Sequence, residues 1–267
     1  VVGRLKGADP RPIVLVAGAC LGGWAWADVA ARLRALGHDV YPVTLTGLGE
    51  RVHLAHPDVD LETHVADVVN LLDYEALDDA VLVGHSYAGT VVTAVADRRP
   101  QRLDAVVYLD TSPLPDATAI VDVQSPQQQE LQRSAVHERG EGWSWPAPDR
   151  QTILAGTWGS ASGLRDEHLQ LIAQRATAQP YATMTSPVRL VHRMPPGVRR
   201  AAIFCTAGGI DVASLRELIA RGDPRAATFA DNDWELHDLP TGHWAMFSLP
   251  GPLADLLDGI AQGPRRD

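Results

Sequence analysis

Lysine is almost missing from this 267-residue sequence. Lys6 is the one example, and arginine supplies the rest of the 23 basic residues. No function attaches to that bias by itself. Set against 33 acidic residues, those charges leave a net charge of −10, which argues against nucleic acid or an anionic membrane surface as a partner. Cysteine is scarce as well. Cys20 and Cys205 show no metal-ligand spacing, and each lies in or beside an apolar run, where a buried thiol is the default. Neither a disulfide framework nor a metal site is expected, and the cysteine usage favours a cytoplasmic location. No run approaches the roughly 18 apolar residues that a membrane span requires. Val1–Lys6 lacks the apolar core of a signal peptide; because the first residue is not Met, a leader removed upstream stays open.

What the sequence does contain is enough hydrophobic residue, 45%, to build a sizeable core without covalent staples. Ile13–Ala17, Val81–Val83, Ala105–Leu109 and Ala201–Thr206 are short apolar runs of buried-strand type. Between them lie segments of helical period. Asp60 reads as the N-cap of one, with Val65, Val68, Val69, Leu72 and Ala76 as its apolar face. Another follows Trp24, with Val29, Leu33 and Leu36 facing inward. Strands apolar on both faces and alternating with helices predict an α/β fold: a mostly parallel central sheet with helices on both sides. The rhythm breaks over 112–199, where Gln127–Gln129 and the loop Gly140–Pro146 stand out. One helix, Leu164–Ala176, is predicted there, and no clear strand. The expected division is a core of residues 1–111 and 200–267 with a helical cap, 112–199, inserted between two strands. Such a cap covers a site at the strand carboxyl ends, where sheets of this kind bind ligands.

One stretch carries chemistry. In Val81–Gly89 an apolar strand breaks at Gly84, presents Ser86, and runs on into a helix, which is the layout of a nucleophile elbow. The positions two before and two after the serine must be small. Gly84 meets that demand fully and Ala88 tolerably. A serine nucleophile needs a base and a group that orients the base. Of ten histidines, His243 fits best, in Thr241-Gly242-His243 just after the last strand, Trp234–Leu239. His85 is expected to point away from Ser86 and to pack or cap. Two acids compete. Asp110 follows the strand after the nucleophile strand, and Asp211 follows the next one. Asp211 also reads as a helix N-cap, ahead of Val212, Leu215 and Leu218, so Asp110 is favoured. For an oxyanion, Tyr87 offers a backbone N–H, and Ala19 or Cys20 in the glycine-rich loop 18–24 offers the other. Ala19 is the residue taken for that role.

At these motifs the sequence resembles the α/β-hydrolase superfamily, and within it the small esterases and hydroxynitrile lyases that include methyl-salicylate-type esterases. Gly18-Ala19-Cys20-Leu21-Gly22-Gly23-Trp24 resembles the family's oxyanion loop. Thr44–Arg51 resembles the loop after the next strand. Gly84–Gly89 and Thr241–Met246 match the nucleophile and histidine motifs. The resemblance covers both parts of the sheet domain and leaves out the cap. It implies a serine hydrolase of carboxylic esters or lactones working through an acyl-enzyme. Three departures stand out. Ala17 and Leu21 replace two histidines of the oxyanion loop, which makes the entrance more apolar. Where the plant esterases carry the acid, this chain has Ala207-Gly208-Gly209, which supports Asp110.

The expected triad is therefore Ser86, Asp110 and His243, with Ala19 and Tyr87 as oxyanion donors. Cys20, Trp143, Trp145, Trp158 and Met184, together with Tyr181, are candidates to contact a hydrophobic or aromatic substrate. No cofactor is expected. The expected partner is a small-molecule substrate, with a homodimer left open. A lyase or cyclase on the same fold, or a binding protein with a vestigial triad, stands as the alternative. The lyase version expects a cap lysine, which the cap lacks.

Overall fold

In the computed structural model, residues 11–192, 197–231 and 233–264 are described, so Lys6 and the rest of Val1–Pro10 lie outside the described residues. Each apolar run forms a strand. The strands are β1 (Ile13–Val16), β2 (Val40–Val43), β3 (Ala80–His85), β4 (Leu103–Leu109), β7 (Arg199–Cys205) and β8 (Trp234–Leu239). They make one sheet in the order β2-β1-β3-β4-β7-β8, and every pairing is parallel. Side chains alternate between the two faces. Ile13, Leu15, Val81, Val83, Ala105 and Val107 pack on one side with α1 (Ala27–Ala35) and α10 (Pro250–Ala261). Val14, Val16, Leu82, Val106 and Tyr108 pack on the other with α2 (Leu61–Tyr74), α3 (Ala88–Arg98) and α8 (Val212–Ala220). Cover on both faces explains why the inner strands β1, β3 and β4 read as apolar runs.

Local chemistry fixes the helix ends. Asp60 accepts from the Thr63 N–H at 3.0 Å and starts α2, and Pro100 follows the end of α3. Leu36 departs from expectation: it lies one residue past the end of α1 and is 41% exposed.

The insertion between β4 and β7 holds α4 (Pro126–Arg139), β5 (Ser144–Trp145), α5 (Arg150–Leu154), α6 (Asp166–Arg175), β6 (Gln179–Pro180) and α7 (Ala182–Thr185). It is a helical cap, as expected, with one addition: β5 and β6 pair antiparallel over two residues each. Strands that short, one of them ending in proline, leave no alternation to read. A last short helix, α9 (Ala245–Ser248), precedes α10.

Candidate active site

Ser86 sits between the end of β3 and the start of α3 with φ +52°, a left-handed backbone that side chains rarely adopt. Its N–H reaches Leu109 O at 3.1 Å, so the β3–β4 ladder persists one residue past the strand. The tight turn requires Gly84: a Cβ there would lie 2.7 Å from both Ala88 O and a Val92 methyl. Gly89 answers a close neighbour as well: a Cβ there would lie 2.6 Å from the Thr111 side chain.

Asp110, directly after β4, is also left-handed, with φ +49°. Its N–H donates to Ile203 O at 2.8 Å, and its Oδ1 accepts the Cys205 N–H at 3.1 Å. Its Oδ2 lies 2.6 Å from His243 Nδ1. Burial alone would raise its carboxyl pKa, but the bonds from His243 and the Cys205 N–H, with the charge of His243, outweigh that and hold it below its usual value. Asp211 is elsewhere. It caps α8 by accepting the Ser214 N–H at 2.7 Å.

His243 rides on the loop after β8, and the cap pins that loop. The N–H groups of Gly242 and His243 donate to Ser162 O and Ser160 O at 3.1 and 2.8 Å. Gly159 lies so close that a Cβ would stand 2.7 Å from the His243 Cβ. With Nδ1–H directed to a carboxylate, Nε2 is left as the basic nitrogen. Among the described residues no hydrogen bond joins it to Ser86 Oγ, although both residues line one cavity of about 410 Å³.

His85 does more than pack. It lines the cavity, its ring centroid lies 4.6 Å from that of His243, and its Nε2 donates to His243 O at 2.8 Å. Burial, reinforced by neighbouring His243, pushes its pKa down to about 3, so the ring is neutral. Gly18 crosses directly against it: a Cβ there would lie 2.8 Å from His85 Nδ1.

In the loop after β1, the Ala19 N–H has no acceptor among the described residues, and neither does the Tyr87 N–H at the start of α3. Both residues line the cavity, and unpaired N–H groups are what a helix start and an open turn leave available. Cys20 is different. Its N–H donates to Gln179 Oε1 at 2.8 Å and its carbonyl accepts from Thr177, so the cap anchors the loop there. Its side chain is fully buried and does not line the cavity, and burial pushes the thiol pKa up, which corrects the expected substrate contact.

Of the expected aromatic and sulfur contacts, Trp145, Trp158 and Met184 line the cavity, and the two indoles stack with centroids 4.1 Å apart at 13°. Trp143 and Tyr181 do not line it. Trp143 belongs to the turn that closes α4, with its N–H on Gly140 O and its carbonyl holding the Tyr181 N–H. Sequence reasoning missed the opposite chemistry in the same wall: Gln124, Gln128 and Gln132, on or just before α4. The available sign was Ser125-Pro126-Gln127-Gln128, a capping box with proline at the first helical position, and it is formed.

The model of the alpha/beta hydrolase family matches residues 13–256. The chain belongs to the α/β-hydrolase family. Among relatives of this hydrolase, a carbendazim-hydrolysing esterase of Nocardioides sp. (strain SG-4G) is 33% identical over 92% of this chain and 98% of its own. A putative chloroplastic methylesterase 15 of Arabidopsis thaliana is 23% identical over 98% of this chain and 59% of its own. Among solved structures, an extracellular α/β-hydrolase from a Paenibacillus species superimposes with a TM-score of 0.72 at 20% identity, over 97% of this chain and all of that one. These relatives overturn the cytoplasmic expectation for the hydrolase. One similar protein is extracellular and another chloroplastic, and two unpaired buried cysteines do not assign a compartment. No described helix is long and apolar enough to cross a membrane.

Proposed function

We propose that this chain is a serine-type esterase that cleaves a small hydrophobic or aromatic carboxylic ester through an acyl-enzyme. The observation that carries the reading is the convergence in one cavity of Ser86, His243 held by Asp110, and two unpaired backbone N–H groups. His243 Nε2 takes the proton of Ser86 Oγ as the oxygen attacks the ester carbonyl. Asp110 keeps the imidazole in the tautomer that allows this and stabilises the imidazolium that forms. The Ala19 and Tyr87 N–H groups receive the developing oxyanion. His243 then returns the proton to the leaving alcohol, and water repeats the sequence on the acyl-enzyme.

The stacked indoles of Trp145 and Trp158, with Met184, give the acyl or ring portion an apolar wall. That wall agrees with the activity of the Nocardioides relative, an esterase that hydrolyses carbendazim. The test is a fluorophosphonate adduct on Ser86 together with an initial burst on p-nitrophenyl acetate, both absent in Ser86→Ala. A wild-type protein that gives neither sinks the acyl-enzyme mechanism.

A further inference from the structure

Gln179, at the start of β6 in the cap, is fully buried and does not line the cavity. Every part of its amide is engaged. Oε1 accepts the Cys20 N–H at 2.8 Å, while Nε2 donates to Thr183 Oγ1 at 2.9 Å and meets Met184 Sδ at 3.4 Å. Thr183 neighbours the Tyr87 hydroxyl. One cap side chain thus bears on the supports of both residues whose backbone N–H groups face the oxyanion.

Ala19 and Cys20 are the central residues of a turn that the Leu21 N–H closes on Gly18 O at 3.2 Å. Cys20 has φ +65°, the left-handed value of the second central position in a type II turn, which glycine supplies without strain. A cysteine there is strained, and such strain persists only where neighbours over-determine it. Here both neighbours belong to the cap: the Gln179 amide oxygen on the Cys20 N–H, and the Thr177 N–H on Cys20 O at 3.0 Å. Relaxation would turn over the Ala19–Cys20 peptide and set the Ala19 carbonyl against the Gln179 oxygen. We infer that Gln179 is a positioning residue for the oxyanion hole: from the cap it locks the Ala19–Cys20 peptide in the turn that holds the Ala19 N–H at the cavity. The inference rests on the esterase reading and adds a residue through which the cap takes part in the chemistry without touching substrate.

The test compares p-nitrophenyl acetate with its thiono analogue, in which C=S replaces C=O. Sulfur is a weaker acceptor on a longer bond, so a hole fitted to oxygen accelerates the oxo ester far more. The quantity read is the oxo-to-thiono ratio of kcat/KM. Gln179→Met removes the acceptor and Gln179→Asn draws it back by one methylene. Each should lower the ratio by about tenfold, part of the loss that follows removal of a whole oxyanion donor. The ratio cancels the amount of active protein, so a variant that folds poorly still reports. Adding Cys20→Gly to Gln179→Met should restore most of the ratio, because glycine holds the left-handed turn unaided. Equal losses on the two esters in both variants would overturn the inference and assign Gln179 to cap packing. A lowered ratio that glycine does not rescue would overturn it too. A wild type that gives no burst with p-nitrophenyl acetate would sink the esterase reading itself, and this role with it.

Discussion

Asp110 Oδ2 lies 2.6 Å from His243 Nδ1, although the two residues extend from β4 and β8, with β7 between them. The histidine loop therefore reaches across the end of β7. That end offers no acid of its own: it runs into Thr206–Gly208 and the left-handed Gly209, with the Ala207 N–H on Thr241 O. The next carboxylate, Asp211, is occupied at the start of α8. Asp110→Asn should then lower kcat by about 10³–10⁴, because the imidazole loses its orienting carboxylate. Asp211→Ala should keep near-wild-type kcat and lower stability modestly through loss of its cap. Steady-state hydrolysis of p-nitrophenyl acetate and urea unfolding read both effects, and the reverse pattern would reassign the acid.

His85 acts on His243 through the backbone. Its Nε2–H holds the His243 carbonyl at 2.8 Å while the rings lie against each other. A glutamine side chain can present an N–H close to that nitrogen, whereas leucine cannot. His85→Leu should lower kcat by about tenfold, the worth of one buried hydrogen bond. His85→Gln should recover much of that loss, with KM little changed in either variant. Equal losses in both would assign His85 to packing alone.

The middle of the sheet was legible because β1, β3 and β4 are buried on both faces. Trp234–Leu239 and the α2 start at Asp60 lie where their patterns put them. The elbow and the histidine loop were legible for a related reason, since tight turns dictate which residues can occupy them. The cap was not. Only Gln132 and Val136 are buried along α4, so no apolar period marks it. The cavity side of that helix mixes Gln128, Gln132 and Arg139 with Leu131 and Ala135, and a glutamine facing a cavity looks the same in sequence as one facing solvent. Likewise, nothing local ties Gln179 to Cys20, 159 residues away, and that contact exists only in the folded chain. Trp143 and Trp145 are two residues apart in one loop, and only the turn and the β5–β6 pairing separate their fates.

Gly84 permits the turn that presents Ser86. An alanine methyl would lie 2.7 Å from Ala88 O and 2.7 and 2.9 Å from the two Val92 methyls, and backbone carbonyl and buried branched side chain both resist displacement. Gly84→Ala should cost about 1–3 kcal/mol of folding stability. It should also lower kcat, since relief of the clash moves the start of α3 and with it the Tyr87 N–H. Urea unfolding at constant m-value, alongside the burst amplitude, measures the two consequences. An alanine variant as stable and as active as wild type would show that the elbow can widen without loss.

Two buried histidines make stability depend on pH. Burial pushes His64 down to about 4 and His85 down to about 3, and each ring is committed in its neutral form. His64 accepts from the Tyr87 hydroxyl at Nδ1 and donates to Thr46 O at Nε2, both at 2.9 Å. In the unfolded chain both rings protonate near 6.5, while in the folded chain they stay neutral well below that. As pH falls below about 6.5 the unfolded state therefore binds more protons, and stability drops by up to about 1.4 kcal/mol per pH unit for each ring. The loss levels off once pH passes through the folded values. Asp110, held below its usual range, adds its own loss in the carboxylate region. Urea unfolding at pH 7.5, 6.5, 5.5 and 4.5 should show a plateau followed by a steepening decline. His64→Asn should be less stable at pH 7.5 yet decline less steeply, because the cost of keeping one ring neutral has gone. Stability that rises on acidification from 7.5 to 5.5 would mean these rings gain protons on folding, opposite to what their surroundings impose.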